Sequence, residues 1–80
     1  MKVYVVQECY AYEGSTVKEV FKNLDKSIEF VKQKYPEFPK METFEAEDDI
    51  GLEVKTIRFE KSSDENYFRF VDIEEWEVKG

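Results

Sequence analysis

Carboxylates are the side chains of this chain best supplied for chemistry. Nineteen Asp and Glu stand against twelve Lys and Arg. The densest run is Glu45-Ala46-Glu47-Asp48-Asp49-Ile50-Gly51, which invites a calcium loop. An EF-hand loop needs Gly at its sixth position and Glu at its twelfth. Counted from Glu45, those positions hold Ile50 and Thr56, so the run reads as a solvated loop. A second group, Glu74, Glu75 and Glu77, surrounds Trp76. Paired carboxylates cleave glycosides only inside a cleft, which a domain of 80 residues rarely builds. An acidic strand edge that deters sheet-to-sheet aggregation is the simpler reading.

Other catalytic apparatus is missing from the sequence. The chain has no histidine, hence neither the commonest general base nor the commonest neutral metal ligand. Cys9 is the single cysteine. It falls mid-strand with no base to activate it, where a cysteine acts as a small hydrophobe. The three glycines, Gly14, Gly51 and Gly80, form no phosphate loop. No catalytic residue, metal ligand or cofactor is therefore assigned, and the chain reads as a non-enzyme.

The elements that position these groups follow from periodicity. Lys2 to Tyr12 is a Val- and Tyr-rich strand. Glu13-Gly14-Ser15 turns it, with Gly14 suited to positive φ, into a second strand from Thr16 to Lys22. Asn23 caps a helix with Asp25 in its first turn. Leu24, Ile28, Val31 and Tyr35 lie on one stripe, and Pro36 stops the helix. Residues 36–51, with two prolines and the acidic run, read as a loop crossing the sheet end. Phe38, Met41, Phe44 and Ile50 pin it, with a short strand over Thr43 to Ala46 as an option. Leu52 to Lys61 and Tyr67 to Val78 read as two more strands around a polar turn, with a break near Asp72 as an option for the last. The expectation is a single α+β domain over residues 1–80: a four-stranded, mainly antiparallel sheet in ββαββ order, with one helix on one face.

Charge and cysteine usage bound the setting. Residues 1–40 are nearly neutral and residues 41–80 strongly acidic, for a net charge of −7. Direct nucleic-acid binding needs clustered Lys and Arg, so it is not expected. One cysteine fits a reducing compartment. No stretch approaches the roughly 20 apolar residues of a membrane span, and the N-terminus lacks a signal-peptide core. A cytoplasmic location is the simplest expectation. So small a core supports a stability on the order of 3–5 kcal/mol.

A sheet with one covered face should be polar on the other. The first strand is not. One parity reads Val3, Val5, Gln7, Cys9, Ala11; the other reads Tyr4, Val6, Glu8, Tyr10, Tyr12. The last strand repeats the pattern. One short helix cannot cover both faces, so either the 36–51 segment or another chain covers the second. This predicts a protein-interaction module, self-associating or binding a partner protein. Its contact residues would be Tyr4, Tyr10, Tyr12 and Trp76, with Glu47, Asp48 and Asp49 for charge. A small-ligand-binding domain or enzyme is the alternative that would require a concave pocket with convergent polar groups.

The segments KVYVVQECY, EGSTVKEVF, Asn23-Leu24-Asp25-Lys26 and VDIEEWEV resemble a family of small bacterial and phage proteins of unknown function. The resemblance implies the same order of elements and carries over no catalytic residues. A phage setting would imply occupation of a host protein's surface, as an inhibitor. Glu42, Glu45, Glu47, Asp48, Asp49, Asp72, Glu74, Glu75 and Glu77 would then mimic DNA phosphates.

Overall fold

The computed structural model describes residues 1–10, 14–47, 53–61 and 69–78. The chain forms β1 (Lys2–Tyr10), β2 (Gly14–Phe21), α1 (Leu24–Lys34), β3 (Lys40–Glu47), β4 (Glu53–Glu60) and β5 (Arg69–Glu77). The strands make one antiparallel sheet in the order β2-β1-β5-β4-β3. The α+β class and single helix agree with the sequence reading. The strand count does not: among the described residues the sheet has five strands, and the order is ββαβββ.

The added strand lies within the segment read as a loop. β3 pairs with β4 from Lys40↔Glu60 to Glu47↔Glu53. It is an edge strand, and Met41, Glu42, Thr43 and Glu45 are all exposed. An edge strand open to solvent has no need for clean alternation, so its acidic residues masked the strand signal. Phe38 is buried among Val6, Val31, Tyr35, Phe59, Val71 and Ile73 in the core under the helix. β5 continues through Asp72 without a break, pairing β1 on one side and β4 on the other.

The helix forms where its signals lie. The Asn23 side chain accepts from the Lys26 backbone N–H at 3.1 Å, and the Tyr35 backbone N–H closes the other end on Val31 at 2.8 Å. Val31 and Tyr35 are buried, and Leu24 and Ile28 pack against the same core. Ser27 is also buried and donates its hydroxyl to the Leu24 carbonyl at 2.6 Å. The helix packs across β2, β1 and β5. Asn23→Ala should lower stability by about 1 kcal/mol by freeing the cap donor. A urea melt followed by far-UV circular dichroism checks this, and Asn23→Asp should retain the wild-type midpoint.

At the first hairpin, Gly14 has φ +90° with open space where a Cβ would sit. Its backbone, not its packing, calls for glycine. Further along, the β1–β2 register shifts between Val6 and Gln7. Val6 opposes Glu19 and Gln7 opposes Val17, so Lys18 is an extra residue in a β-bulge. The bulge leaves Val17 and Val20 on the helix-free face, while Lys18 and Glu19 both fall on the helix side.

Candidate functional site

The helix-free face is built by strand alternation and register. β1 contributes Val3, Val5, Gln7 and Cys9; β5 contributes Phe70, Asp72, Glu74 and Trp76. Val17 and Val20 flank it on β2, opposite Gln7 and Val5. Thr56 and Arg58 of β4 and Phe44 of β3 complete it. A polar stripe runs through the middle. Gln7 donates its side-chain amide to Glu74. Arg58 grips Asp72 with two bonds, Nε to Oδ1 at 2.9 Å and a terminal nitrogen to Oδ2 at 3.1 Å. The guanidinium lies 4.0 Å from the Phe70 ring centre and 4.8 Å from that of Phe44. Stacked between two rings, Arg58 shields Asp72, which is only 7% exposed.

Around that stripe the face is apolar. Val17 and Val20 are 56% and 50% exposed. Val3, Val5 and Trp76 are half-buried, and Val3 opposes Trp76 while Val5 opposes Val20. The polar groups of the stripe are satisfied by one another; on β1, β2 and β5 the rest of the face is mainly hydrocarbon and one indole, while β3 brings exposed Lys40 and Glu42 to it.

Cys9 lies on this face, buried, with its Sγ 3.9 Å from Asp72 Oδ2. Burial first, and the Asp72 charge second, push its thiol up to about 12. Its inert structural role has a measurable consequence. At pH 8, alkylation by iodoacetamide should be roughly a thousandfold slower in the folded protein than in urea, because the thiolate is the nucleophile.

The helix side carries a different polar cluster. Glu8 is 9% exposed and accepts from the Tyr35 hydroxyl at 3.0 Å, the Tyr10 hydroxyl, and an Arg69 terminal nitrogen at 2.9 Å. Lys18 approaches it at 3.8 Å. The Tyr10 hydrogen bond leads the effects that lower the Glu8 carboxyl below its ordinary value. Arg69 spreads over the rings of Tyr10 and Phe38. Arg69 Nε is buried without a hydrogen-bond partner, while the bonds of Tyr10, Tyr35 and Arg69 to Glu8 hold β1, β5 and the helix end together.

The sequence-predicted contact residues do not share a face. Tyr4 packs against the core under the helix, and Tyr10 belongs to the Glu8 cluster. Trp76 stands on the opposite, helix-free side. Glu47 ends β3. Tyr12, Asp48 and Asp49 lie outside the described residues, as does most of the imagined calcium loop. Among the described residues no group of three or more His, Cys, Asp or Glu could hold a metal ion. No helix there is long and apolar enough to cross a membrane. A groove of about 410 Å³ beside the helix end is walled by Tyr35, Phe38, Met41 and Phe59, with Lys32 at its rim. It lacks the convergent polar groups that orient a small ligand.

Val17 and Val20 were missed because their spacing of three does not fit an unbroken strand. That spacing is itself the signal of a bulge. Compared with family models, curated proteins and solved structures, the chain finds no match.

Proposed function

We propose that this chain is a non-enzymatic protein-interaction module that docks through the helix-free sheet face and its β2 edge. The observation that carries this reading is the pair Val17 and Val20, half or more exposed beside half-buried Val3, Val5 and Trp76. Clustered hydrocarbon on a sheet edge costs free energy in water, and burying it against a protein recovers roughly 25 cal/mol per Å². The polar stripe supports the reading, because groups already paired need no new partner when water leaves.

The phosphate-mimic alternative draws little from β5. Asp72 is bound by Arg58, Glu74 by Gln7, Glu75 by Lys2 at 3.8 Å and Glu77 by the N-terminal amine at 3.1 Å. Three of these carboxylates face a cation of the same chain and Glu74 is held by a neutral amide, which makes a poor copy of a phosphate row.

Hydroxyl-radical footprinting tests the module. The purified protein at high dilution is compared with the same protein in the lysate of its own cells. Val17, Val20 and Trp76 should be protected in the lysate, while Met41, 50% exposed on the helix side, should label equally in both. Equal labelling of the helix-free face in both samples overturns the reading.

A further inference from the structure

The β2 edge identifies its own partner. Every residue from Gly14 to Val20 is exposed, so this edge of the sheet lies open, and an open edge is a template for another strand. We infer that the partner is a second copy of this chain, joined by antiparallel β2–β2 pairing about a two-fold axis. This rests on the interaction-module reading and names its occupant.

The bulge sets the register. Two copies of one strand, related by a two-fold axis normal to the sheet, can oppose only residues that share a face. In an unbroken strand, Val17 and Val20 would lie on opposite faces and could not meet. With Lys18 inserted, both lie on the helix-free face, and Lys18 and Glu19 both lie on the helix side. The axis then falls between Lys18 and Glu19. Val17 of each copy opposes Val20 of the other, Lys18 opposes Glu19, and Thr16 opposes Phe21. Two bulged residues face two bulged residues, so the ladder continues across the junction. Each Val pair extends the apolar patch over the axis, and each Lys–Glu pair is of opposite sign.

The other edge does not compete. β3 carries Glu42, Glu45 and Glu47 against one lysine, Lys40, so two β3 edges would set like charges together. Pairing β2 with β3 of a second copy would leave one open edge of each kind and propagate as a filament. Of the pairings that charge does not oppose, only β2 with β2 closes. Lys18, which already approaches Glu8 of its own chain at 3.8 Å, gives selectivity: a strand with a basic residue at the matching position meets a like charge.

Sedimentation equilibrium from micromolar to millimolar protein should show a concentration-dependent dimer. Glu19→Lys sets Lys against Lys at two places and should shift the dissociation constant at least tenfold toward monomer. The swap Lys18→Glu with Glu19→Lys should restore wild-type association. Circular dichroism and Trp76 emission verify that each variant folds. A chain with Cys9→Ala, Val17→Cys and Val20→Cys should oxidise to a covalent dimer. With Val17→Cys alone, the two thiols belong to residues about 10 Å apart along the strands, beyond disulfide reach, and no dimer should form. A wild-type monomer throughout, a dimer indifferent to Glu19→Lys, a swap that fails to restore association, or equal cross-linking by the single-cysteine chain each overturns the pairing. If the protein is monomeric yet its helix-free face is protected in the lysate, self-pairing falls and the module stands. If there is neither dimer nor protection, both fall.

Discussion

Arg58→Met should cost about 3 kcal/mol of folding stability, most of what a domain of this size has. Methionine keeps a hydrocarbon stem between Phe44 and Phe70, so packing loss is small. The loss comes from Asp72, which is 7% exposed and would keep a charge with no partner. Removing one member of a buried pair leaves the other's desolvation uncompensated. The lower end of the usual range applies because the Arg58 side chain is 31% exposed. Arg58→Met combined with Asp72→Leu should recover to within about 1 kcal/mol of wild type, since two apolar groups need no counter-charge. Urea melts of the four proteins give the coupling directly. A single-variant cost below about 1 kcal/mol would mean that water reaches Asp72 and that the stripe is not an internal device. The double variant also bears on the interaction reading. It turns the middle of the helix-free face from paired polar groups into hydrocarbon, so self-association should increase while folding stability holds.

That stripe marks how far the sequence could be read. Hairpin, helix and final strands announce themselves through β-branched runs, the Asn23 cap, the Leu24–Tyr35 stripe and Pro36, because each is a local signal. The two non-polar parities of β1 are equally visible. Which tyrosine lies on which face is not local. It depends on where α1 lands, and α1 lands on the side of Tyr4, Val6 and Glu8. Tyr4 and Tyr10 are thereby spent on the core and on the Glu8 cluster, leaving Trp76 with valines rather than tyrosines as its neighbours. The pairs Arg58–Asp72 and Gln7–Glu74 join strands 14 and 67 residues apart, and nothing in either strand alone announces its partner. β3 was visible only as an optional short strand at Thr43 to Ala46 for a related reason: its strand character comes from pairing with β4, and Met41, Glu42, Thr43 and Glu45 remain in water.

Glu8 should give the molecule a limb of acid sensitivity and a limb of alkaline sensitivity. Its folded carboxyl titrates below the ordinary 4.5, with the Tyr10 hydrogen bond as the leading cause and Tyr35 and Arg69 contributing. A lowered value means that the folded state prefers the ionised form. The stability from this preference is complete above about pH 4.5 and drains away as pH falls through the folded value. Tyr35 works in the opposite sense. Burial first, then its bond to Glu8, push its hydroxyl from 10.0 up to about 12, so its contribution is complete below pH 10 and is lost between there and about 12. Glu8→Gln keeps the shape but removes the charge. It should cost about 2 kcal/mol at pH 7, where the hydrogen bonds it weakens are charge-assisted. It should also flatten the acid limb and weaken the alkaline one, because Tyr35 keeps its burial but loses the adjacent charge. Urea midpoints measured from pH 3 to pH 11 read both limbs. An acid limb as steep in Glu8→Gln as in wild type would assign the acid sensitivity to other carboxylates. The cluster also anchors β1 beneath the Lys18 bulge, since Lys18 approaches the same carboxylate at 3.8 Å. If β2 is the dimer edge, the variant should weaken association as well as folding, through a residue that touches no partner.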